Sequence, residues 1–334
     1  MSNPADAIPR FSKGGARIAL TTTISDASES IDFILNEIGI GALPKPRKAV
    51  TDWGMSAAGH IKPEAENVTL GLAMPSFTIE TPITIYTAAL FLTSFFQNAD
   101  YTGVATYLFD MVPWTAPAAA LFMLVEGGVD GAHVWHANGC IVRDLTINVP
   151  ALGEDGGHPT FRAAMVGANA TRDTAFSASE AGVATDTAPR KLSSEFAFQI
   201  GGVAKKFTSA ELTFSNSAER SPNIGSTPDA FNLGSAKLSG SINVVMTSAA
   251  SDEYDALLDA HEAGTATTIY IGVGSHFYVE EQVLFGSPEE EEQGNILVAK
   301  FPIAHAIYSS SGYPKARVYS SVSYGNILTP WGIA

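Results

Sequence analysis

A single cysteine, Cys140, stands in 334 residues. No intrachain disulfide can form, and a cysteine-based structural zinc site is excluded. Cys140 lies in an apolar, strand-like run, where a free thiol behaves as a small buried hydrophobe. Basic residues are scarce as well: 19 Lys and Arg stand against 34 Asp and Glu, a formal net charge of −15. That balance argues against a surface that grips nucleic-acid phosphates or anionic lipid, and it favours solubility. Long apolar runs are missing too. The longest, Ile83 to Phe96, is interrupted by threonines and a serine and is too short to span a bilayer. The N-terminal Met1 to Asp6 lacks the basic and apolar regions of a signal peptide. No HExxH, GxSxG, P-loop or CxxC motif occurs.

What is present is apolar and patterned. Hydrophobic residues make up 46 % and charged ones 16 %, so a sizeable core can be buried and global disorder is excluded. The length suggests about two domains, and two distant regions read as copies of one unit. Gly157-His-Pro-Thr-Phe-Arg162 recurs as Gly312-Tyr-Pro-Lys-Ala-Arg317. Cys140 to Ile147 matches Ile296 to Ile303, and Asn67 to Met74 matches Ser239 to Met246. Three segments in the same order point to a duplication. On this reading Val68, Leu70, Leu72 and Met74 overlay Gly240, Ile242, Val244 and Met246.

Elements follow from periodicity and punctuation. Residues 1–60 read as an N-terminal arm with one helical candidate, Ser30 to Ile38. Residues 61–170 form a first domain, 171–190 a connector rich in Ala, Thr and Ser, and 191–334 a second domain. In the first, alternation from Val68 to Met74 predicts a strand. A helix over 82–97 follows, with Thr81 as N-cap and Pro82 at its first position. Strands are expected at 120–126, 140–149 and 161–167. In the second, strands are expected at 196–200, 210–215 and 238–246. A helix over 252–262 is capped by Ser251 or Asp252 and ended by Gly264. Strands at 267–273, 295–304 and 316–323 complete it. This is an α+β class, mainly antiparallel β: tandem β-sandwich or tube-type domains, each with a packed helix.

Residue groups that could carry chemistry are few. His133 and His136 have an HxxH spacing, but on a strand they point to opposite faces and read as polar edge residues of a hairpin. Glu289, Glu290, Glu291 and Glu292 follow Ser287-Pro288 and precede Gly294, the pattern of an exposed loop tip, and Glu280 and Glu281 add to the same acidic region. Successive acids lack the alternating spacing of a calcium loop. Lys45, Arg47 and Lys48 form the one tight basic cluster, read as a solvated turn or a contact with an acidic loop of another subunit. The residues point to no catalytic, metal or cofactor site, and to no membrane.

A family resemblance enters on particular strands. Asn138-Gly-Cys-Ile-Val-Arg-Asp-Leu-Thr-Ile-Asn-Val-Pro150 resembles a strand common in tail tube proteins of long-tailed bacteriophages. Ser209 to Asn216, Lys237 to Val245 and the Tyr254-Asp-Ala-Leu-Leu258 helix are similar to that family too. The resemblance covers most of residues 60–325. It implies sheets that join between neighbouring subunits around a lumen, in rings that stack into a tube carrying DNA. Single-unit members build six-membered rings, so a chain of two units implies rings of three chains. It also implies a tape measure protein and DNA in the lumen, a virion (tail) location and synthesis in the host cytoplasm. The acidic groups would then lie at the lumen or between rings, with the basic cluster as an inter-ring counterpart. Two other classes stay open: another virion component, such as a capsid decoration or tail terminator protein, and a β-sandwich carbohydrate-binding or hydrolytic protein.

Overall fold

A computed structural model describes residues 17–21, 33–34, 39–40, 49–51, 54–55, 61–62, 68–70, 76–97, 100–101, 106–110, 122–129, 133–153, 157–173, 184–185, 190–220, 231–232, 237–247, 252–273, 277–293, 296–306 and 315–319. The fold is mainly antiparallel β-sheet with two α-helices among the described residues. In the first half the elements are β1 (Arg17–Thr21), β2 (Phe33–Ile34), β3 (Gly39–Ile40), β4 (Ser76–Pro82), α1 (Ile85–Phe96), β5 (Phe122–Val129), β6 (His133–Val149), β7 (Thr160–Val166) and β8 (Asn169–Asp173). In the second they are β9 (Ala197–Ile200), β10 (Val203–Lys205), β11 (Ser209–Ser215), β12 (Lys237–Val245), α2 (Glu253–Glu262), β13 (Thr267–Val273), β14 (Phe277–Phe285), β15 (Glu289–Gln293) and β16 (Ile296–Ala306).

The central sheet runs in the order β3, β4, β7, the C-terminal half of β6, β11, β12, the N-terminal half of β16, and β15. It crosses from the first half to the second where β6 pairs with β11, Leu145 opposite Phe214 and Val149 opposite Ala210. One face of this sheet is built by strict alternation. Phe77, Ile79 and Thr81 on β4, Phe161, Ala163 and Met165 on β7, and Leu212 and Phe214 on β11 are all buried. Glu80, Arg162 and Glu211, between them, are exposed. A period of two residues places each set on one side of the pleat.

Both halves send strands out of this sheet in the same way. The N-terminal half of β6 pairs with β5 and β8, and β5 pairs with β1. In the second half, β14 pairs with β13 and the end of β16, and β13 pairs with β9. Each half also has a strand directly before its helix, β4 or β12, that lies in the central sheet next to a shorter-numbered neighbour, β3 or β11. The segment Arg17–Thr21, read from sequence as part of an arm, is thus strand-paired with β5.

The helices start for different reasons. At α1, Thr84 and Thr87 cap reciprocally: the Thr87 N–H donates to Thr84 Oγ1 and the Thr84 N–H donates to Thr87 Oγ1. At α2, Asp252 accepts from the Asp255 N–H, the ordinary N-cap bond, and Gly264 follows with φ +59°. Phe91, Phe95 and Leu92 of α1 and Leu257 of α2 are buried in one continuous apolar core that spans both halves. Phe95 meets Phe214 across 6.1 Å, so the first helix packs on a strand of the second half.

Several sequence expectations are corrected. Pro82 ends β4 instead of opening the helix, and Thr84, not Thr81, is the cap. Val68–Leu70 pairs with Ala49–Thr51 in a separate small sheet, so it does not match β12 in the central sheet. Of the helix expected at 30–38, the described residues Phe33–Ile34 form strand β2 instead. The two Gly-Pro motifs also part company. Thr160–Val166 lies in the central sheet, whereas Lys315–Tyr319 pairs with β14 and Thr106–Asp110. Residues 71–75 and 307–314 lie outside the described residues.

Candidate assembly surface

The acids singled out from sequence do not form one surface. Glu289, Glu290, Glu291 and Glu292 sit on strand β15, not on a loop tip, and all four are exposed. They became legible as a strand only through pairing with β16, Glu289 opposite Lys300 and Glu292 opposite Leu297. Among the described pairings, β15 has β16 as its sole neighbour, so it is a free end of the central sheet. Among the described pairings the other end is β3, which pairs with β4. An unpaired edge offers a row of N–H and C=O groups to any other strand, and charge on that edge limits indiscriminate pairing.

Local contacts fix how β15 is presented. The Tyr254 hydroxyl on α2 donates to Glu290 Oε1 at 2.9 Å. That bond, with burial next, holds the Tyr254 phenol above its ordinary range. Lys300 Nζ lies 3.9 Å from Glu289 Oε2, an exposed ion pair that adds little stability. At the turn into β16, Ile296 and Leu297 are 52 % and 51 % exposed, unusual for large aliphatic side chains at the tip of an acidic hairpin. The hairpin therefore carries apolar surface beside charge.

Glu281 behaves differently and corrects its grouping with the exposed acids. It lies on the inward face of β14 with Val279, Val283 and Phe285 and is 3 % exposed. Desolvation, and then the neighbouring charge of Glu280, push its carboxyl up to about 8. A second buried acid was missed from sequence. Glu126 on β5 is fully buried beside His136 on β6, with His136 Nδ1 2.6 Å from Glu126 Oε1. His136 is thus an interior residue with an acidic neighbour, not the hairpin-edge group expected. Glu126 is the lone acid in the apolar run 122–125 and 129, which was the available signal.

The join between the two halves shows what a completed edge looks like here. Thr146 and Thr213 hydroxyls meet at 2.9 Å across β6 and β11. Ser215 Oγ donates to Asp144 Oδ1. Asn216, buried, donates from Nδ2 to the Val142 carbonyl at 3.0 Å. Lys45, Arg47 and Lys48 lie outside the described residues. Among the described residues no group of His, Cys, Asp and Glu is arranged to hold a metal ion, and no helix is long and apolar enough to cross a membrane.

Among the described pairings, one mainly antiparallel sheet runs through both halves, from β3 at one end to β15 at the other. The family model for phage tail tube proteins matches residues 63–296, and the chain belongs to that family. The family is structural and places the chain in the tail of a virion. No curated protein matches the chain.

Proposed function

We propose that this protein self-assembles head to tail into rings, which stack to form the tail tube through which DNA passes to the host. The observation that carries the reading is the central sheet, closed internally at β6 and β11 and open at β15 and β3. A head-to-tail contact closes into a ring when its rotation allows, and closure removes the exposed edges. The repeated order of strand pairings supports two tube-type units per chain, roughly residues 61–170 and 191–334 with strands from 1–60 added to the first. Three chains would then supply the six units of a ring with pseudo-sixfold symmetry. The tape measure protein would occupy the lumen before DNA does, and the chain would be made in the host cytoplasm before joining the virion.

In this reading the net charge of −15 is functional as a field. A wall that repels phosphates lets DNA slide, whereas Lys and Arg would hold it. No step of chemistry is assigned to the chain. Negative-stain microscopy of the purified protein tests the reading: stacked tubes or rings are expected. Discrete particles that bind capsids, or monomers with a hydrolytic activity lost on one carboxylate substitution, would replace it.

A further inference from the structure

The internal join specifies the external one, down to its register. The two halves can be placed on each other through their burial patterns. Buried Phe161, Ala163 and Met165 on β7 correspond to buried Ala299, Phe301 and Ile303 on β16, with exposed Arg162 and Lys300 at matching places. Ala163 pairs with Ile79 and Phe301 pairs with Ile242, so Ile79 on β4 corresponds to Ile242 on β12. Ile79 pairs with Ile40 and Ile242 pairs with Ala210, so Ile40 on β3 corresponds to Ala210 on β11. On the other flank, Phe161 pairs with Ile147 and Ala299 pairs with Glu290, so β15 corresponds to the C-terminal half of β6, and Glu292 to Val149. Inside the chain, Val149 pairs with Ala210. Their counterparts, Glu292 and Ile40, lie on the two strands that end the sheet among the described pairings.

We propose that β15 of one copy pairs antiparallel with β3 of a second copy, Glu292 opposite Ile40 and Gln293 opposite Gly39. The inference rests on the ring reading above and adds to it which edges meet and in what register. Charge supports the choice of partner. Two β15 edges repel each other through their glutamates, which disfavours a symmetric contact. Counted on in the same register, the neutral Gly41, Ala42 and Leu43 would stand opposite Glu291, Glu290 and Glu289, a contact without like-charge repulsion.

Cysteine cross-linking reads the register directly. In the double variant Ile40→Cys/Glu292→Cys, assembled and then mildly oxidised, a ladder of covalent oligomers is expected on a denaturing gel. The shifted pair Ile40→Cys/Glu290→Cys and both single variants should give none, because buried Cys140 is out of reach. Hydrogen exchange on the unmodified chain keeps the test independent of the variants: amides of 289–293 and 39–40 should exchange at least about tenfold more slowly in the assembled state. Tubes that form without this protection, or that cross-link only in the shifted pair, overturn the edge pairing and leave the tube reading standing. A chain that stays monomeric at every concentration, with neither protection nor cross-links, overturns both.

Discussion

The two halves of the molecule solve one structural problem differently. In the first, the strand that ends the half, β6, buries Leu145, Ile147 and Val149 and has partners on both sides. In the second, the strand in the corresponding place, β15, carries exposed Glu290 and Glu292 where the first has Ile147 and Val149. A strand certain of its neighbour within the chain can be apolar. A strand without a second neighbour in the chain is kept from indiscriminate pairing by charge. The same contrast appears in the buried acids. Glu126 has His136 beside it, whereas Glu281 lies among valines and a phenylalanine.

The contrast is broken most readily at the covered strand. Leu145→Ala removes a fully buried side chain from the join, and a loss of about 2–5 kcal/mol is expected by chemical denaturation. Glu290→Ala, at the place in β15 that corresponds to Ile147, should change monomer stability by no more than about 0.5 kcal/mol. Equal losses at the two sites would refute the difference between covered and open edges.

Glu281 gives the next largest effect, and it depends on pH. Its folded pKa, about 8, lies above the ordinary 4.5. Between these values the unfolded chain releases the proton while the folded chain keeps it, so stability falls as pH rises, by up to about 1.4 kcal/mol per unit. Below the lower value both states are protonated and the penalty vanishes; above the higher one it is complete. Glu281→Gln removes this slope. The melting temperature of the variant minus that of the wild type should therefore increase from pH 5 to about pH 8 and level off above it. A constant difference would show that Glu281 ionises normally in the fold.

The two helix starts provide a smaller comparison. Burial pushes the Asp252 carboxyl up, but hydrogen bonds from the Asp255 N–H, the Thr247 N–H and hydroxyl, and the Tyr254 N–H outweigh it and hold the group below its usual range. This contribution is present above the ordinary carboxylate pKa and is lost as pH falls. Asp252→Ala should cost about 1 kcal/mol near neutral pH and less in acid. Thr84→Ala, which breaks the reciprocal pair at α1, should cost about as much with no pH dependence in that range. At the join itself, Thr146→Val loses one hydroxyl contact with Thr213 and should cost about 0.5–1.5 kcal/mol by thermal or chemical melts.

Much of the fold was legible because apolar alternation and helix punctuation survive in the sequence. The α2 boundaries and the strands at 209–215, 237–245 and 267–273 follow from these signals closely. The failures have physical causes. Strand β14 was missed because Glu280 and Glu281 interrupt its pattern, and Glu281 occupies an inward position where an apolar residue is expected. Strand β15 looked like a loop because four acids lack alternation, yet an edge strand with two solvated faces needs none. The duplication was sought in motif matches that the pairings do not align. The matching lies in strand order and burial, which short motifs do not encode. Of the candidate surface, the acidic run stood out in sequence, but only the topology puts β15 and β3 at opposite ends of one sheet among the described pairings.

A helical reconstruction of assembled tubes by electron cryo-microscopy tests the account most directly. It should show rings of three chains with pseudo-sixfold symmetry, in which one sheet runs continuously from β15 of each copy into β3 of the next. Rings of six full-length chains, or a wall in which both of these edges remain unpaired, would contradict it.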